Sequence, residues 1–119
     1  MEKTIFVIDD DAFSLSIAEH MLENDYNVIT FSSVAKMFTA LEKITPDLIL
    51  MDILMPEMTG FEVIKILKAS NLHSKIPVLF LSAMEDHSER AYGIELGAKD
   101  FIAKPFNGTK LRDIVNNYV

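Results

Sequence analysis

Asp52 closes the apolar run Leu48-Ile49-Leu50-Met51, and Asp9, Asp10 and Asp11 close an earlier one, Ile5-Phe6-Val7-Ile8. Ionised carboxylates gathered at the ends of buried segments repel one another and are costly to take out of water. Such a set suits a hard cation, which takes oxygen donors, or a reaction that transfers an anion. Further polar residues stand just beyond later apolar runs: Ser82 and Glu85 after Val78-Leu79-Phe80-Leu81, and Lys104 after Phe101-Ile102-Ala103. The chain has no cysteine, so thiolate and disulfide chemistry are excluded, and His20, His73 and His87 lack the spacing of metal ligands and are expected on the surface.

The elements that must carry these residues read as five alternating strand and helix units. Strands are expected at Thr4 to Ile8, Asn27 to Phe31, Asp47 to Met51, Pro77 to Leu81 and Asp100 to Ala103. The first, third and fourth are unbroken apolar runs, as in a parallel sheet covered by helices on both faces, which predicts a doubly wound α/β fold. Phe13, Ile17 and Met21 mark the apolar stripe of a first helix; Val34, Met37, Phe38 and Leu41 mark that of a second. Thr59 and Glu62 have the spacing of a capping box ahead of a third helix with Ile64 and Leu67, and Leu111, Ile114, Val115 and Tyr118 define a fifth. The fourth, roughly Ser88 to Leu96, has little apolar surface and contains Gly93, so it is expected to be the least stable. In an open parallel sheet ligands bind beyond the carboxyl ends of the strands. Asp9, Asp10, Asp52, Ser82 and Lys104 are thereby expected to converge from four separate segments.

The 119 residues, half of them apolar, suffice for one domain with one core, expected to span residues 1–119. A net charge of −7 argues against sequence-independent nucleic-acid binding, which needs Lys and Arg to neutralise phosphates. Glu2, Lys3 and Asp9 interrupt the amino terminus too early for a signal peptide, and no apolar run approaches a membrane span. We expect a soluble, cytoplasmic chain with no membrane contact and no direct contact with nucleic acid.

Four motifs in order, Ile5 to Asp10, Leu48 to Gly60 with its Asp52-Ile53-Leu54-Met55-Pro56 centre, Val78 to Ala83, and Gly97 to Phe106 with Lys104-Pro105, carry a family resemblance over essentially the whole chain. The sequence resembles a response-regulator receiver domain of two-component signalling. The resemblance implies a flavodoxin-like fold with five parallel strands in the order 2-1-3-4-5. It makes Asp52 the phosphoacceptor, fed by a sensor histidine kinase, a phosphotransfer protein or a small phosphodonor. Asp10 and Asp52 would ligate Mg²⁺ (or Mn²⁺) directly, Asp9 through water, and the Leu54 backbone carbonyl would add an oxygen. Lys104 would pair with Asp52 and then with the phosphoryl group. Ser82 and Phe101 match the family's switch pair, which would alter the surface of the fourth helix, fifth strand and fifth helix. That surface is a candidate site for a phosphorylation-dependent homodimer, and Lys99, Asp100, Arg112 and Asp113 form either a charged dimer face or a solvated one. The bond before Pro105 would be cis.

Leu54 and Met84 lie two residues beyond the phosphoacceptor and the switch hydroxyl, flanking the route of a hydrolytic water that neither side chain can orient. A long-lived phosphorylated state with slow autodephosphorylation is expected. The reading is of a signalling switch, not a metabolic enzyme, acting on a downstream protein or on an output domain that the chain is expected to lack. Individually these residues have plainer roles: Asp11 suits a helix cap, Lys104 a solvated surface and Phe101 ordinary core. A haloacid-dehalogenase-type phosphatase would need a second aspartate where Leu54 stands. A flavodoxin-like electron carrier would need a hydroxyl-rich phosphate loop where three acids stand. A degenerate receiver serving only as a binding module would be expected to lack Asp52, Lys104 or the acid pair, and all are present.

Overall fold

The apolar runs form five strands, Thr4–Ile8 (β1), Asn27–Phe31 (β2), Leu48–Asp52 (β3), Val78–Ser82 (β4) and Asp100–Ala103 (β5), in a computed structural model that describes residues 2–83 and 87–119. They pair in parallel in the order β2-β1-β3-β4-β5. Between them lie five helices: Ala12–Leu22 (α1), Val34–Leu41 (α2), Gly60–Ala69 (α3), His87–Leu96 (α4) and Gly108–Asn116 (α5). The doubly wound, flavodoxin-like architecture is as expected. Met84 and Glu85 lie outside the described residues.

Strand pleating divides the interior into two cores, because successive side chains leave opposite faces. Ile5, Val7, Leu48, Leu50, Leu79, Leu81 and Ile102 pack with residues of α1 and α5. Phe6, Ile8, Ile49, Met51, Val78 and Phe80 pack with residues of α2 and α3, and Leu96 and Phe101 join this second core. The central strands are buried throughout. Both end one residue later than the apolar pattern predicts, because the ladder continues through the pairs Asp52–Leu81 and Ser82–Ala103. The two polar residues are therefore held in the sheet itself. At the other end of β3, Asp47 drops out of the strand and its side chain accepts from the Thr4 amide at 2.8 Å.

The capping box ahead of α3 forms in both directions: Thr59 Oγ1 accepts from the Glu62 amide at 3.2 Å, and Glu62 Oε1 accepts from the Thr59 amide at 3.1 Å. In α1 the expected stripe is displaced. Leu15, Ala18 and Leu22 are the buried residues, whereas Phe13 is 72% exposed and Ile17 and Met21 are only partly covered. Both stripes have helical spacing, and the small Ala18 lets the helix lie close on the sheet. The low apolar content of α4 is as expected, with Gly93 its one buried residue. The Arg112 guanidinium reaches Asp25 at 3.6 Å and the Met21 carbonyl at 3.4 Å, on the α1 side. Asp100 is engaged within the chain by Arg90 and Tyr118. Among the described residues no helix is long and apolar enough to cross a membrane.

Candidate functional site

The carboxyl ends of β1, β3 and β5 deliver Asp9, Asp52 and Lys104 to one place. Pleat parity explains why: Asp9 continues the side of Ile5 and Val7, Asp52 that of Leu48 and Leu50, and Lys104 that of Ile102. Asp9 is fully buried and Asp52 is 9% exposed, while Asp10 is exposed at the rim. Asp9, Asp10 and Asp52 each present a carboxylate oxygen within 4.8 Å of the others. Asp11 caps α1, accepting from the Ser14 hydroxyl at 2.9 Å and the Phe13 amide at 3.3 Å, which together hold its carboxyl below its ordinary value.

Lys104 Nζ donates to Asp9 Oδ2 at 2.6 Å and lies 3.5 Å from Asp52 Oδ2. The ammonium thus reaches both acids, but its short contact is with Asp9, where Asp52 was the expected partner. Asp9 is the carboxylate cut off from water, so it is the one that most needs a hydrogen-bonded cation. Its other oxygen accepts from the Asp11 amide at 2.9 Å. Burial works to lower the Lys104 pKa, but the hydrogen bond and charge of Asp9, then the charge of Asp52, outweigh it and hold the ammonium above its ordinary value. Asp52 is left under-compensated: burial first, then the Asp9 charge, push its carboxyl up to about 6 against the pull of Lys104.

Lys104 is placed by its backbone, whose amide donates to the Ser82 carbonyl at 2.8 Å, and the Lys104–Pro105 bond is cis as expected. Ser82 is 4% exposed and follows the parity of Val78 and Phe80, the face to which Phe101 belongs. Ser82 and the ring thus share the α3–α4 side of the sheet, with Ser82 one residue beyond Leu81, the register partner of Asp52. Phe101 packs on Phe80 with ring centroids 5.3 Å apart. Leu54, two residues beyond the Asp52 strand end, is 61% exposed.

Two contributors were not singled out from the sequence. A Cβ on Gly60 would lie 2.7 Å from the Asp52 carbonyl oxygen, so only glycine lets the β3–α3 loop fold back against the strand end, where the Gly60 amide donates to the Ile53 carbonyl at 2.7 Å. The second is a small apolar cavity of about 210 Å³ beside Lys104, formed by Phe13 and Ile17 against Pro105 and Phe106. The exposed Phe13 in an otherwise helical apolar pattern carried no signal of it.

A family model for the response regulator receiver domain matches residues 5–116. The chain belongs to the response-regulator receiver family. This receiver is 36% identical over 108 residues to the alkaline phosphatase synthesis transcriptional regulatory protein PhoP of Bacillus subtilis, covering 90% of the chain and 44% of that protein. It is 32% identical over 112 residues to the DNA-binding response regulator MtrA of Mycobacterium tuberculosis, covering 93% of the chain and 48% of MtrA. The receiver spans about half the length of these curated relatives. Among solved structures, the chemotaxis response regulator CheY4 of Vibrio cholerae superposes with a TM-score of 0.93 at 25% identity, each chain covered in full. The response regulator DrrB of Thermotoga maritima superposes with a TM-score of 0.88 at 25% identity, covering 99% of this chain and 52% of DrrB. Receiver domains generally bind Mg²⁺ at an acidic pocket. The all-oxygen cluster of Asp9, Asp10 and Asp52 fits such a hard ion, which takes oxygen donors and keeps several waters.

Proposed function

We propose that this receiver is a phosphorylation-dependent switch of a two-component phosphorelay, with Asp52 as phosphoacceptor. The observation that carries this reading is the meeting of three carboxylates with the Lys104 ammonium at the carboxyl edge of the sheet. An Asp52 carboxylate oxygen attacks the phosphorus of a phosphohistidine on a histidine kinase or phosphotransfer protein. The P–N bond breaks, its electron pair returns to the imidazole, and an aspartyl phosphate remains. With acetyl phosphate the bond broken is P–O and acetate departs. Asp10 and Asp52 would hold Mg²⁺ directly, Asp9 through water, joined by the Leu54 backbone carbonyl. The ion would supply positive charge that offsets the repulsion between carboxylate and incoming phosphoryl oxygens. Lys104 supplies the second cation, already within 3.5 Å of Asp52.

The new group carries roughly one and a half to two negative charges. Ser82 donates its hydroxyl to a phosphoryl oxygen, and the Phe101 ring moves inward behind it. Only the conformation making these bonds is stabilised, so the α4–β5–α5 surface changes population and presents itself to a downstream protein, an output domain or a second copy of the chain. Neither Leu54 nor Met84 carries a side chain that can orient an attacking water, which prolongs the phosphorylated state.

The deciding experiment is incubation with acetyl phosphate, with and without Mg²⁺, followed by intact mass for the wild type and Asp52→Asn. A single Mg²⁺-dependent phosphoryl adduct absent from the variant is expected. No adduct on folded wild type, with acetyl phosphate and with a phosphohistidine donor alike, would overturn the reading in favour of a binding-only receiver.

A further inference from the structure

Phe101 is enclosed from three sides. The Phe80 ring lies 5.3 Å away between centroids, inclined at 53°. Helix α4 passes so close that a Cβ on Gly93 would sit 2.5 Å from Phe101 Cζ. The Arg90 guanidinium carbon lies 5.5 Å from the Phe101 ring centroid. Arg90 is itself held in place. Its Nη2 donates to Asp100 Oδ1 at 3.1 Å, and the same oxygen accepts from the Phe101 amide at 2.8 Å. Asp100 Oδ2 accepts from the Tyr118 hydroxyl at 3.1 Å. One carboxylate thus ties α4, β5 and the segment after α5 around the ring.

We propose that this Arg90–Asp100–Tyr118 clasp holds Phe101 and α4 in the unphosphorylated arrangement, and that Arg90 and Asp100 are positioning residues that set how readily the receiver accepts a phosphoryl group. The inference rests on the reading of Ser82 and Phe101 as a switch pair. Arg90 is on the outer side of the ring, its side chain 53% exposed, whereas Ser82 is buried on the same face of the sheet as the ring. Travel of the ring towards Ser82 withdraws it from beneath a guanidinium that stays with Asp100. Whatever stabilises the arrangement lacking the phosphoryl group lowers affinity for that group by up to the same factor. The described partners of the clasp are ring, carboxylate and phenol, not the acid cluster, so releasing it leaves the cation ligands in place.

The test is calorimetric titration of the folded chain with beryllofluoride, a phosphoryl mimic, in the presence of Mg²⁺, for wild type, Arg90→Ala, Asp100→Asn and Arg90→Lys. A partly exposed ion pair and a solvent-facing cation–ring contact together correspond to about a two- to tenfold tightening on removal. Arg90→Ala and Asp100→Asn are expected to bind the mimic tighter by that factor with unchanged affinity for Mg²⁺ alone. The double variant should gain no more than either single, since both break one clasp. Arg90→Lys, which keeps the charge but stacks poorly, should fall between. A purely structural role would lower the melting temperature without moving mimic affinity. Unchanged or weaker binding of the mimic in both Arg90→Ala and Asp100→Asn, with wild-type circular dichroism, overturns the clasp. Absence of Mg²⁺-dependent mimic binding in the wild type itself overturns the receiver reading, and the clasp with it.

Discussion

Replacing Asp52 by Asn should make the protein more stable when divalent cations are removed. Asp52 has its carboxyl pushed from 3.8 to about 6 by burial and by the Asp9 charge. A difference of roughly two units corresponds to about 3 kcal/mol of penalty for ionising this group in the folded state. Lys104, 3.5 Å away, already acts within that balance, so losing its attraction is included. Allowing for relaxation and water entry, about 2 kcal/mol should be recovered by the neutral isostere, or roughly 8 °C in melting temperature for a domain of this size. The dependence on pH follows from the sign of the shift. The folded pKa is raised, so the stability associated with protonated Asp52 is fully present below 3.8 and is lost as the pH rises through about 6. The advantage of Asp52→Asn should therefore open between those values and stay constant above them. Urea denaturation followed by circular dichroism in EDTA, across that range, measures it. A variant no more stable than wild type at neutral pH, or an advantage independent of pH, would refute the claim that Asp52 is an under-compensated buried charge.

The same shift predicts that Mg²⁺ affinity falls as the pH drops through about 6, because cation and proton compete for Asp52; calorimetric titration on either side of that value measures the loss. Leu54→Asn and Met84→Glu, which can orient a water, should each shorten the lifetime of the aspartyl phosphate severalfold, read by intact mass after removal of the donor. Rates identical to wild type in both would show that these positions do not control hydrolysis. Gly60→Ala should destabilise the fold by about 2 kcal/mol, since its Cβ would press on the Asp52 carbonyl and on Phe80, at 2.7 and 2.8 Å. It should also reduce phosphorylation of Asp52 by displacing the strand end, measured by urea titration and adduct yield.

Much of this architecture was legible because the strands are apolar on both faces and end in acids. Runs such as Leu48-Ile49-Leu50-Met51 fit a parallel sheet between two helical layers, and polar residues at their ends fall on the ligand-binding edge. The one-residue shifts of β3 and β4 arise because backbone pairing with neighbouring strands continues under Asp52 and Ser82. Polarity patterns report side-chain environment and are blind to that pairing. In α1 two stripes share the helical period: Phe13, Ile17 and Met21 form the bulkier one, and Leu15, Ala18 and Leu22 are buried. Bulk favoured the wrong stripe, while the sheet selects the one that permits close approach. The preference of Lys104 for Asp9 was equally invisible, since it depends on which acid is more deeply buried once the strands are aligned.

That preference has a further consequence. When all three acids are ionised, the Lys104 ammonium reaches Asp9 and Asp52, and it makes its short contact with Asp9. The uncompensated charge falls on Asp52, the proposed phosphoacceptor. A divalent cation bound at Asp52 would relieve this deficit by adding charge, and Asp52→Asn would relieve it by removing charge. The two remedies address one repulsion and cannot add in full. Mg²⁺ should therefore raise the stability of wild type by more than it raises that of Asp52→Asn at equal concentration, with urea titrations of both proteins providing the four values required. Equal stabilisation of the two would place the cation away from Asp52 and separate metal binding from phosphoacceptance.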